Sequence, residues 1–216
     1  MSESVKRSYD SSRRQEQARA TQRAVLHAAH DLFVEQGYGR TTIADIARAA
    51  GVSTETIYGT FKNKANLLHR VWDVTIGGDD EDVVFHERPE IMAIRSEPDL
   101  AKRLRLQARM STATARRMTP FFRALQGAAA SDPGAAEMVA EIGRQRYVGM
   151  GVMAAEMAAT GQLKVSEQEG RDIVWATTDG ALWHQLVVER GWSDERFAEW
   201  LGDLWVHALV KPTKQR

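Results

Sequence analysis

Apolar residues recur at helical spacing along almost the whole chain, with polar residues filling the positions between them. Val25, Ala29, Leu32 and Phe33, followed by Gln36, share one helix face, and Gly37 supplies its stop. Thr42 stands as N-cap to a short helix over Ile43 to Ala50. Gly51-Val52 turns the chain, Ser53 caps a third short helix, and Phe61-Lys62-Asn63 ends it. Leu67, Leu68 and Val71 form the stripe of a fourth helix. Segment 77–99, with Gly77-Gly78, Pro89 and Pro98, reads as a loop-rich boundary. Two helices are expected over about 99–117 and 119–130, parted near Pro120. Pro133 suits the first turn of a long helix running to Ala159 and stopped by Gly161. Ser166 with Glu169 forms a capping box that opens the next helix, which Gly191 ends. The last helix starts at Ser193, where Asp194 and Glu195 favour its positive end. The pattern holds no alternating strand, internal repeat or low-complexity tract, so the fold class expected is all-α.

Composition narrows the chemistry. The 216 residues are 43% hydrophobic and 27% charged, as in an ordinary globular protein able to bury a real core. The absence of cysteine excludes a disulfide scaffold, thiolate-bound zinc, iron–sulfur clusters and thiol catalysis, and a reducing cytoplasm is the compartment expected. No apolar run approaches the ~20 residues of a membrane span, so no membrane partner is expected. The formal charge is zero, from 29 basic and 29 acidic residues, yet the two signs are segregated. Residues 1–72 hold 11 bases and 7 acids, a net of +4, and the remainder balances them at −4. Within that remainder, residues 73–99 hold nine acids, among them Asp79, Asp80, Glu81 and Asp82, whereas 100–131 hold seven bases and no acid. These stretches either face each other as an ion-paired surface or supply a basic helix to an anionic ligand.

The segment from Thr41 to Leu68 carries the most chemistry. Small Ala47 lies four residues before Gly51 and apolar Ile57 six after it, the spacing that a helix-turn-helix needs. Val52, Ile57 and Phe61 would bury the back of the third helix, turning Thr54, Glu55, Thr56 and Thr60 outward. A helix of about two turns fits the major groove of DNA, where short polar side chains reach base edges. Thr42 at a helix N-terminus, Tyr58 on the flank, and Lys62 and Lys64 at the next helix junction suit phosphate. Ser53, which caps the reading helix beside them, is a further candidate DNA contact. Glu55 either accepts from a cytosine amino group or strengthens the helix N-terminus.

These residues resemble the TetR family of bacterial transcriptional regulators. The resemblance is carried by Thr42-Ile43, Ile46-Ala47, Ala50-Gly51-Val52-Ser53, Ile57-Tyr58, Phe61, Lys64 and Leu67, with the entry DLFVEQGYGRTT from Asp31 to Thr42. It covers about residues 20–72. It implies phosphate contacts from Thr42, Tyr58 and Lys64, and base or groove contacts from Thr54, Glu55, Thr56 and Thr60. Glu55 and Thr60 stand where many members carry a glycine and a bulky aromatic or histidine, so the base preference is this chain's own. The expected organisation is a disordered basic arm (1–17, with Lys6, Arg7, Arg13 and Arg14), a three-helix DNA-binding domain (18–64), a larger helical effector-binding and dimerisation domain (65–210) and a tail (211–216).

In the C-terminal part, five of six tryptophans lie between positions 175 and 205. Phe197, Trp200, Leu201, Leu204, Trp205, Ala208 and Leu209 repeat at helical spacing, and the preceding segment, with small Ala176, Gly180 and Ala181 beside His184, is apolar on nearly every side. Two such helices either finish the monomer core or, as expected, form an interface with a second copy, and the resemblance implies the same homodimer, placing two reading helices on a palindromic duplex operator. Met150, Met153 and Met157, with Arg146, line one face of the long helix. Together with Arg109, Met110, Arg117, Met118, Phe121, Phe122 and Trp175 they form either core or an adaptable pocket for a small-molecule effector, the arginines being the candidates for an anionic group. The rival class is an enzyme: His27, His30 and Asp31 could hold a metal, but no Glu-x-x-His motif, phosphate loop or nucleophile elbow accompanies them. The expectation is a DNA-binding repressor with no catalytic residues, cofactor or metal.

Overall fold

The computed structural model describes residues 3–77 and 88–212, with backbone alone at 3–12 and 14. The acidic run from Asp79 to Asp82 and residues 213–216 therefore lie outside the described residues, as do the side chains of Lys6, Arg7 and Arg14. Helices follow one another as α1 (Glu3–Gln36), α2 (Ile43–Ala50), α3 (Thr54–Phe61), α4 (Lys64–Gly77), α5 (Pro89–Arg95), α6 (Leu100–Ala129), α7 (Pro133–Ala159), α8 (Glu167–Thr177), α9 (Ala181–Trp183), a π-helical turn (His184–Glu189) and α10 (Asp194–Leu209). The all-α expectation holds: among the described residues the sole β element is an isolated bridge between Leu163 and Val210. Two compact units arise, one of Met1–Val74 and Arg123–Ala136, the other of Thr75–Phe122 and Glu137–Arg216.

The first unit is built on local signals. Thr42 and Asp45 form a capping box at the start of α2. At its end Gly51 takes the left-handed conformation (φ 67°), its N–H reaching Arg48 O while Val52 N–H reaches Ala47 O, the Schellman pattern. Ser53 Oγ accepts from Thr56 N to cap α3. Phe33, Ile46, Ile57, Phe61, Leu67 and Leu68 are all buried in this unit.

Four expectations need correction. Residues 3–17 are helical and continuous with α1, since the run of Arg, Gln, Glu and Ala after Ser12 has no Gly or Pro to break it. A short helix, α5, stands inside the supposed loop-rich segment, with Pro89 in its first turn. Pro120 does not divide α6, because buried Met118, Phe121 and Phe122 flank it and hold the helix together. The helix opened by Ser166 does not run to Gly191: it stops at Thr177, and Gly180 (φ 88°) begins a new one.

The second unit has its core in Leu100, Leu104, Met157, Phe197, Leu201 and Trp205. Trp205 Nε1 donates to Thr177 Oγ1 at 2.9 Å and Trp183 Nε1 to Asp194 Oδ1 at 2.7 Å, so each buried indole has its partner. Gly180 sits against α6 so closely that a Cβ would lie 2.3 Å from Thr119 Oγ1, a hydroxyl with no hydrogen-bond partner among the described residues. Gly180→Ala is accordingly expected to destabilise the protein by about 1–3 kcal/mol, from the clash and the left-handed backbone together. Adding Thr119→Ala should recover the steric part in chemical denaturation. An unchanged midpoint for Gly180→Ala would contradict the close approach.

Candidate nucleic-acid interface and effector cavity

Helix α3 turns Ile57 (1% exposed) and Phe61 (4%) inward, which leaves Glu55, Thr56, Tyr58 and Thr60 outward and Tyr58 51% exposed. Thr54 is half-buried. The polar groups of this face are already tied to one another. Ser53 Oγ and Thr56 Oγ1 lie 3.1 Å apart, and Thr60 Oγ1 donates to Thr56 O at 3.1 Å. Hydrogen bonds from the backbone of Glu55 and from Ser53 and Thr54 hold the Glu55 carboxyl below its ordinary range. Of its two expected roles, this favours strengthening the helix N-terminus.

Thr42 and Lys64 prove more structural than their expected phosphate roles suggest. The Thr42 hydroxyl donates to Asp45 Oδ2 at 2.6 Å, and Asp45 also accepts from Thr42 N and pairs with Arg48. Thr42 therefore presents an oxygen already bonded to a carboxylate at that helix end. Lys64 Nζ donates to Tyr38 O at 2.5 Å and stands 4.0 Å from the Tyr38 ring centroid. Burial holds the Lys64 ammonium below its ordinary value, with Asp132 acting against that shift. Burial likewise raises the Tyr38 phenol, aided by the Asp132 charge. Exposed Lys62 donates to Gly59 O at 3.2 Å from a left-handed backbone (φ 70°). Sequence reasoning passed over Arg48, whose side chain is 76% exposed beside the α2–α3 turn. Its signal was a cation in the last turn of α2.

In the second unit a cavity of about 670 Å³ lies among α5, α6 and α7. Met110, Met150, Met153 and Met157 line it. Arg109, Arg117, Met118, Phe121, Phe122, Arg146 and Trp175 are not among its lining residues. Met118, Phe121 and Phe122 are core. Arg117 donates to Thr75 O and Ile76 O at the end of α4. Arg146 donates to Trp175 O and Thr178 Oγ1, and burial lowers its pKa. The cations of this wall are instead Arg95 and Arg103, both bound to Glu156, the second at 3.1 Å through Nη2. Arg103 could have been found from sequence, since Arg103, Leu104, Gln107 and Met110 follow one helical stripe. Arg95 could not, because the sequence around it reads as loop.

Several residues expected at a dimer interface are core within one chain: Phe197, Leu201 and Trp205 are at most 2% exposed, and Gly180 is buried against Thr119. Burial of the apolar stripe of α10 inside the monomer is the physical reason. Ala176, Ala181 and Leu204 remain exposed, with Trp200 and His184 half-buried. The basic run of α6 pairs in several directions: Lys102 with Glu97, Arg105 with Asp203 and Arg116 with Asp194. Only the first of these acids lies in the 73–99 stretch. His30 meets Asp31 at 3.0 Å, and among the described residues no group of three or more His, Asp or Glu could hold a metal.

The Asp45 carboxyl is held low chiefly by the Thr42 hydroxyl, then by the Thr42 N–H and Arg48. A carboxyl lowered on folding stabilises at neutral pH, and that contribution disappears as pH falls through its folded value. Asp45→Asn should therefore lower the melting temperature near pH 7, with the gap to the parent protein closing as pH drops below the ordinary carboxylate range. A gap that stayed constant across that range would contradict the capping role.

The sequence model for bacterial regulatory proteins of the tetR family matches residues 25–71. Over 61 residues the chain is 43% identical to the transcriptional regulator TtgR of Pseudomonas putida, covering 28% of this chain and 29% of that protein. It is 37% identical over 60 residues to AcrR of Shigella flexneri, covering 28% of each. The match thus spans less than a third of these curated relatives. Solved structures agree over a far greater length. A SmeT–triclosan complex superposes with a TM-score of 0.63 at 20% identity, covering 90% of this chain and 93% of that one. A regulator from Saccharomonospora viridis in complex with choline gives 0.63 at 19%, covering 88% and 98%. Among the described residues no helix is long and apolar enough to cross a membrane. The family model and the curated regulators thus point to the TetR family of bacterial regulatory proteins for the segment they match, and the solved structures share the fold of most of the chain.

Proposed function

We propose that this chain acts as a homodimeric transcriptional repressor, reads a palindromic operator through α3 and releases it when a small molecule occupies the α5–α6–α7 cavity. The observation that carries the reading is α3 itself, a capped two-turn helix anchored by Ile57 and Phe61 with Glu55, Thr56, Tyr58 and Thr60 outward. One such helix reads too few base pairs for specificity. Two related by a dyad, their centres about 34–36 Å apart, read an inverted repeat. Support for a second copy comes from Trp175, Val188 and Leu204, which leave 38%, 55% and 36% of their surface exposed on α8, the π-turn and α10. Release requires the effector to bind the DNA-free arrangement better than the DNA-bound one. Helices α4, α6 and α7 each have residues in both units, a continuity through which such a preference could be felt. The bacterial cytoplasm, at the nucleoid, is the compartment this activity needs.

Tyr58 and Lys64 are expected to separate in their effects. In fluorescence anisotropy on duplexes from the protein's own promoter region, Tyr58→Phe should weaken binding with folding stability unchanged. Lys64→Ala should weaken binding, reduce the salt slope by about 1 and also lower the melting temperature, because Tyr38 loses its partner. Sequence-indifferent binding unaffected by either change would overturn the reading. For the dimer, Leu204→Glu should shift sedimentation towards monomer while leaving helix content intact. A parent protein that is monomeric at tens of micromolar would contradict the dimer.

A further inference from the structure

Resting on the effector reading above, we infer that the α5–α6–α7 cavity takes an elongated apolar monoanion, with its acid group on Arg103 and its hydrocarbon body along the methionines.

The wall is divided lengthwise. Arg103, Leu104, Gln107 and Met110 line it from α6 at positions i, i+1, i+4 and i+7, so the polar group and the distal methionine are two turns apart, about 10 Å at 1.5 Å per residue. On α7, Glu156 marks the same polar end with Met157 beside it, while Met153, Met150 and Gly149 continue away from it by one to two turns before Gln145 at the far end. A ligand lying along this wall meets charge at one end and soft, adaptable thioethers at the other.

The polarity of the charge follows from hydrogen-bond capacity. Glu156 gives its two oxygens to two guanidiniums, Oε1 to Arg95 and Oε2 to Arg103. The Arg103 side chain is 12% exposed and carries five N–H donors, of which the Nη2 contact to Glu156 uses one. A purely apolar ligand would strip water from the other donors and supply no acceptor in return, which is unfavourable. A cationic ligand would have to displace an arginine from Glu156 and then stand beside that arginine's charge. A carboxylate matches the fork geometry of Arg103 and replaces the water it removes. Gln107, one turn on, lies within the same stripe to donate a further bond.

Three eight-carbon probes of matched length test this by isothermal titration calorimetry at pH 7: octanoate, 1-octanol and octylammonium. Octanoate should bind roughly tenfold tighter than either of the others, the size expected of a charge-assisted contact. Arg103→Gln should bring octanoate to the level of octanol without weakening octanol, and a ligand-free melting curve checks that the variant folds. Glu156→Gln should tighten octanoate and leave octylammonium no better. Octanol binding as tightly as octanoate, octylammonium binding most tightly, or no binding of any probe at millimolar concentration would each overturn the inference. Operator binding measured on the same preparations keeps the two readings apart. DNA binding without an octanoate preference removes the anion site alone, whereas loss of specific DNA binding removes the regulator whatever octanoate does.

Discussion

The left-handed turn at Gly51 is the constraint on which the outward face of α3 depends. With Gly51 N–H on Arg48 O and Val52 N–H on Ala47 O, the chain leaves α2 in one fixed direction, and Ser53 at once caps α3. Ala47, only 4% exposed, leaves room for the second helix to approach. Given that direction, Ile57 and Phe61 can only point inward, and the outward face falls to Glu55, Thr56, Tyr58 and Thr60. A residue with a Cβ at position 51 would meet no neighbouring atom but would take on left-handed backbone strain at the turn that sets this face.

In the second unit the organising feature is a shared carboxylate. Glu156 ties α5 to α6 through Arg95 and Arg103, and it does so at the edge of a methionine-lined space rather than at the solvated surface. Three other basic residues of α6 are engaged elsewhere, Arg105 with Asp203, Arg116 with Asp194 and Arg117 with carbonyls in the last turn of α4. A helix that is simply basic in sequence thus resolves into separate local contacts, and only Arg103 among these four turns its charge to the cavity.

The helix-turn-helix unit was legible because its signals are local. Caps at Thr42 and Ser53, the glycine turn and the apolar back of α3 all act within a few residues, where sequence spacing and spatial contact coincide. The cavity was half legible. Methionines at helical spacing on α7 identified its floor, but its cations come from contacts 53 and 61 residues apart in the chain, which no spacing rule reveals. The zero net charge concealed both features, since a positive N-terminal segment is balanced by an acidic remainder. Phe197, Leu201 and Trp205 misled for a related reason: an apolar stripe states that a face is buried, and whether the same chain or a second copy covers it is a tertiary question.

The most direct measurement is selection of bound duplexes from a random pool by the purified full chain, followed by sequencing. A single inverted repeat is expected, with half-site centres one turn of DNA apart, and Tyr58→Phe should recover the same repeat more weakly. Enrichment of no sequence, or of a lone half-site without dyad symmetry, would contradict a dimer that reads DNA through α3.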